Sequence, residues 1–175
     1  MKMRPVQLFA LPILLLAAIP LGAGQKRQEY SSLRVDSTGQ LHILTDSGRE
    51  IIPPKIKYQV AFGEAEISPD HVTVGWFVEY DNSAALGFLA DPVAGDLVLY
   101  RNERVLHRFS AKQSLWGWRF VDEGRRVAYT DGPLHGNPAE CVLRDSNSGT
   151  VIERWAFKEN AELPDWARGI RCDGE

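Results

Sequence analysis

Cysteine is scarce in this chain: its 175 residues include two, Cys141 and Cys172. Neither belongs to a C-x-x-C pair, which excludes a zinc ribbon and a thioredoxin-type redox site. The four histidines, His42, His71, His107 and His135, never fall in an H-E-x-x-H pattern, so the sequence calls for no metal and no cofactor. There is no G-x-S-x-G elbow and no G-x-x-x-x-G-K-[ST] phosphate loop, so no catalytic residue is assigned. Basic residues are scattered, whereas binding to nucleic acid or anionic lipid needs them concentrated on one face. Past residue 24 no apolar run is long enough for a membrane span.

The long apolar run that does occur is N-terminal. Lys2 and Arg4 precede Leu8–Ile19, Pro20 breaks the run, and Gly22-Ala23-Gly24 offers a cleavage site before Gln25. This is the layout of a secretory signal peptide over 1–24, and it predicts a secreted or periplasmic protein with no stable membrane insertion after cleavage. Removing Lys2 and Arg4 leaves 18 basic residues against 23 acidic ones, a formal charge of −5. In an oxidising compartment, an even cysteine count predicts a Cys141–Cys172 disulfide.

The rest of the chain reads as strand and turn. The clearest signal is Glu140–Trp155, where Cys141-Val142-Leu143 and Thr150–Trp155 flank the bend Ser146-Asn147-Ser148-Gly149, the pattern of a β-hairpin. A second hairpin is read around Arg101-Asn102-Glu103-Arg104, and an N-terminal one over Leu41–Ile52 around Asp46-Ser47-Gly48. Further strands are expected at Lys55–Phe62, Val72–Tyr80, Leu115–Val121 and Arg126–Thr130. Residues 25–32 lack periodicity and read as a linker, leaving 33–175 as a single β-rich domain. Aligning Val74 with Val127 gives an offset of 53, and aligning Phe109 with Trp155 gives 46. The expectation is therefore an all-β fold of about two four-stranded antiparallel units, 64–109 and 115–155, plus the N-terminal hairpin. At the C-terminus, Leu163-Pro164-Asp165-Trp166-Ala167-Arg168 predicts a short helical turn with Trp166 packed on the sheet.

Ile67-Ser68-Pro69-Asp70 followed by Thr73-Val74-Gly75-Trp76 resembles the opening of a blade in WD40-like and TolB-like propellers. Leu143-Arg144-Asp145 with Gly149 and Trp155 looks like the closing hairpin of such a blade. The chain as a whole is similar to a group of small exported bacterial proteins with this pattern, which usually has Gly where this sequence has His71. The resemblance implies WD40-like units arranged as a sandwich or as part of a propeller. It also implies a protein that binds a partner or ligand, and no active residue carries over from it.

Three functional readings follow. The leading one is a non-catalytic binding or protein-interaction module of the cell envelope, whose open sheet edges are covered or paired with further copies. The second is a small secreted hydrolase built on the loop Asp131–Glu140, in which His135 lies between flexible glycines, with Asn137 beside it. The third is a carbohydrate binder that uses Trp116 and Trp118, placed by alternation on one face of a strand.

Overall fold

The computed structural model describes residues 27–83, 91–133, 139–156, 161–170 and 172. Residues 1–24, read from the sequence as a leader, and His135 and Asn137 lie outside the described residues. Eleven strands run in chain order: β1 (Tyr30–Val35), β2 (Leu41–Thr45), β3 (Glu50–Ile51), β4 (Gln59–Ile67), β5 (Val74–Tyr80), β6 (Val93–Arg101), β7 (Arg104–Ser110), β8 (Ser114–Val121), β9 (Arg126–Gly132), β10 (Glu140–Asp145) and β11 (Val151–Ala156). They form three antiparallel sheets, β1-β2-β3, β4-β5-β6-β7 and β8-β9-β10-β11, none closed into a barrel. A 3-10 turn at Asp165–Ala167 follows. The all-β expectation of two four-stranded units, an N-terminal hairpin and a C-terminal helical turn holds.

The sheets stack face to face in chain order. One apolar cluster joins Tyr30, Leu41, Ile43 and Ile51 of the first sheet to Phe62, Val74, Trp76 and Val98 of the second. The opposite face of the second sheet, through Phe77, Leu97, Leu99 and Phe109, packs on Leu115, Trp118, Phe120 and Tyr129 of the third. The outer face of the third sheet is covered by Ala167, Ile170 and Cys172, with Trp166 packed alongside. The central strands β5 and β6 are buried on both faces, which is why Val74–Val78 and Leu97–Tyr100 are continuous apolar runs rather than alternating ones.

The two four-stranded sheets repeat in detail. Phe62, Ala65 and Trp76 of the second sheet stand where Leu115, Trp118 and Tyr129 stand in the third, each 53 residues on (62 to 115, 65 to 118, 76 to 129). The first strand of each carries a β-bulge at the same place, Gly63-Glu64 in β4 and Trp116-Gly117 in β8. A further irregularity recurs at Leu99/Tyr100 and Leu143/Arg144, 44 residues apart. The nine residues between the two offsets fall where β5 passes to β6. The units begin earlier than the sequence reading placed the first of them, because Ile67-Ser68-Pro69-Asp70 is the turn between β4 and β5 and not the opening of a unit. Residues 25–32 likewise contain the start of β1. A bulge between Tyr30 and Ser32 breaks its alternation, so its pattern was hidden.

Local backbone chemistry places the turns. His71 takes φ 59°, a left-handed conformation for which glycine is the natural residue, and its Nδ1 lies 2.9 Å from the Tyr30 carbonyl oxygen. Asn102 and Glu103 both have positive φ, as a two-residue hairpin turn between Arg101 and Arg104 requires. At the other end of the stack, Cys141 in β10 is bonded to Cys172 with their Cα atoms 5.6 Å apart, and both residues are buried. Replacing both cysteines with serine should cost about 3–4 kcal/mol in the chain-entropy account. Thermal unfolding should show this as a lower Tm, and limited proteolysis should cut the tail before the sheets; an unchanged Tm would count against the tie.

Candidate functional site

Of the sequence-predicted residues, Asp131 and its neighbour Glu140 meet at one end of the third sheet, while His135 and Asn137 lie outside the described residues. Asp131 (β9) and Glu140 (β10) are direct cross-strand partners. With Lys112, Gln113, Gly132, Ala139 and Ala156 they line an open groove of about 240 Å³. Asp131 is 9% exposed, and its carboxylate accepts the backbone N–H of Lys112 at 3.0 Å and that of Gln113 at 3.4 Å. It therefore fixes the short passage from β7 to β8. Glu140 accepts from Arg154 Nη1 at 2.5 Å and from Lys112 Nζ at 3.4 Å. Both carboxylates are engaged by groups that hold strands in place.

The tryptophans part company. Trp118 is 4% exposed and packs edge-on to Phe77 and Phe120, while its indole N–H donates to the Glu64 carbonyl at 3.1 Å. A Cβ added at Gly75 would overlap its ring, so a glycine in β5 makes the slot it fills. Trp116 is half-buried and donates to the Pro133 carbonyl at 3.1 Å. Strict alternation predicts both rings on one face. The extra residue of the bulge between Leu115 and Trp118 instead turns Leu115 and Trp118 to the same face, against the second sheet.

Two polar clusters were not singled out from the sequence. In the second sheet, Asp96 is 2% exposed and is surrounded by donors: Tyr80 Oη, Arg108 Nη2 at 2.7 Å and Ser110 Oγ at 2.5 Å. Burial works to raise the Asp96 pKa, but the hydrogen bonds from Arg108, Ser110 and Tyr80 outweigh it and the net shift is downward. Burial, with the bond to Asp96, pushes the Tyr80 hydroxyl up to about 12. On the first sheet, His42 lies between Asp36 Oδ2 (2.8 Å from Nε2) and Glu50 Oε1 (3.0 Å from Nδ1), with Arg34 Nη2 2.8 Å from Glu50. Thr38, His42 and the Gln40 backbone hold Asp36 well below the usual carboxylate range. Each cluster draws on two or three strands, and only the pairing register brings its members together. Among the described residues, no group of three or more His, Cys, Asp or Glu is placed to hold a metal ion.

These clusters carry charge but no nucleophile aimed at an open cleft, so their visible work is to fix strands. The Asp96 carboxylate has a lowered folded pKa, so its contribution is present above the unfolded carboxylate range near pH 4 and lost as pH falls through the folded value. Arg108→Ala should cost about 1–2 kcal/mol at pH 7, less than the 3–5 of a fully buried pair because Arg108 is 45% exposed. Urea titrations from pH 7 to pH 3 should show that cost shrinking below about pH 4; a cost independent of pH would contradict the pairing. No protein-family model matches the chain, and no curated protein is detectably similar to it in sequence.

Proposed function

We propose that this protein is an exported, non-catalytic interaction module of the cell envelope. The carrying observation is that three sheets stack face to face without closing, so that among the described residues strand edges remain open at both sides of the stack. An open edge presents a row of backbone donors and acceptors to which another chain can add a strand. β11 illustrates the point: it is exposed at every position except Trp155 and pairs on one side with β10.

Export is supported by the leader pattern at 1–24 and by a disulfide whose two cysteines are buried, which suits a secreted or periplasmic setting. No described helix is long and apolar enough to cross a membrane. The blade resemblance of Ile67–Trp76 and Leu143–Trp155 points the same way, toward binding. Against the hydrolase reading, Asp131 and Glu140 are both committed to backbone amides and basic side chains. Against the sugar-binding reading, Trp118 belongs to the core between sheets.

The test is capture from envelope extract by the protein as isolated from the periplasm or medium, alongside light scattering of the protein alone. The expected result is one or a few retained proteins, or a defined oligomer. A monodisperse monomer that retains nothing would contradict the proposal.

A further inference from the structure

The three sheets share one plan, and among the described residues the first sheet is one strand short of it. Hairpin tips β2–β3, β6–β7 and β10–β11 line up at one end and are joined in series. Arg49 Nη1 donates to Glu103 Oε2 at 3.0 Å, Arg101 Nη1 donates to Asn147 Oδ1 at 2.5 Å, and His107 Nε2 sits 2.8 Å from the Asn147 carbonyl oxygen. This alignment makes β1 the counterpart of β5 and β9. In the second and third sheets the strand beside that counterpart is β4 or β8; in the first sheet, among the described residues, β1 pairs with β2 alone.

Tyr30, at the start of β1, is held by His71, whose carbonyl accepts its N–H at 2.7 Å. Beside the rest of β1 lies a groove of about 410 Å³, lined by Leu33, Arg34, Val35 and Leu41 of the first sheet and by residues 62–65 of β4. The repeat explains its shape. In the third sheet, Trp118 reaches back to the first strand of the preceding sheet and donates to the Glu64 carbonyl. Its counterpart 53 residues earlier is Ala65, which faces a sheet without a first strand and leaves the space unfilled.

We propose that this groove receives an extended β-strand from a partner protein, which pairs with β1 and completes the first sheet. The inference rests on the interaction reading above and names its site. The lining selects the occupant: Leu33, Val35, Leu41, Phe62 and Ala65 are apolar, and Val35 is left 48% exposed, while Arg34 and Glu64 are charged. The added strand thus has apolar inward residues and polar ones where it meets Arg34 and Glu64. The chain's own outer edges are a poor match, because β7 carries Arg104, His107 and Arg108, and β11 carries Glu153 and Arg154. A strand from a second copy is therefore the lesser fit.

Hydrogen exchange tests this directly, with a synthetic peptide of the sequence 59–67 as probe, since that segment is the first strand of the second sheet. The peptide should slow exchange of those amides within Ser31–Val35 that are not bonded to β2 at least tenfold, and a scrambled peptide should not. Ala65→Trp, which fills the groove with an indole, should abolish the effect while the protein still melts cooperatively. Should that variant fail to fold, Val35→Lys at an exposed position replaces it, with the same expected loss. Equal exchange with and without the peptide would overturn the proposal. So would protection that rises with protein concentration alone, which makes a second copy the occupant, or protection seen only while the leader remains attached. Envelope partners retained equally by the wild type and Ala65→Trp would also overturn the groove, while leaving the interaction function standing at another edge.

Discussion

The stack depends on one ring. Trp118 fills the slot left by Gly75, lies against Phe77, and donates its indole N–H to the bulge carbonyl of Glu64. Three strands of two sheets are thereby fixed by one side chain: β8, which carries it, β5, which makes room for it, and β4, which accepts its hydrogen bond. The polar end of the indole has its partner inside the core, so burying it leaves no unpaired donor. The bulge in β4 is what turns the Glu64 carbonyl toward its neighbour, which ties a local backbone irregularity to the packing of whole sheets.

Much of this fold was legible in the sequence. The hairpin Glu140–Trp155, the turn at Arg101–Arg104 and the offset of 53 residues all follow from alternation and turn chemistry. The illegible part has one cause, the bulges. A bulge in β1 disguised Tyr30–Ser32 as linker, and a bulge in β8 separated Trp116 from the face of Trp118. Alternation counts residues, but a bulge adds one without advancing the ladder, so every side chain beyond it changes face.

The candidate site was legible to a smaller degree, and for a different reason. Asp131 and Glu140 do line one groove, because their strands are neighbours in a hairpin order that the sequence reveals. Asp96 with Arg108 and Ser110, and His42 with Asp36 and Glu50, depend on cross-strand register, which no local pattern reports. The groove beside β1 is further removed still. It lies where, among the described residues, the first sheet has no counterpart of β4, beside a small residue at position 65, and it becomes visible when the units are superposed by their pairing.

The central claim is that the second and third sheets are locked by the fit of Trp118 into the Gly75 slot. A double-mutant cycle on stability measures it. Gly75→Ala should cost about 1–3 kcal/mol in the wild type, where the added methyl meets the ring, and Trp118→Ala alone about 3–5 kcal/mol. In the Trp118→Ala background, Gly75→Ala should be close to neutral, giving a coupling energy of about 1 kcal/mol or more. Additive costs, with Gly75→Ala equally damaging whether or not the indole is present, would contradict the account.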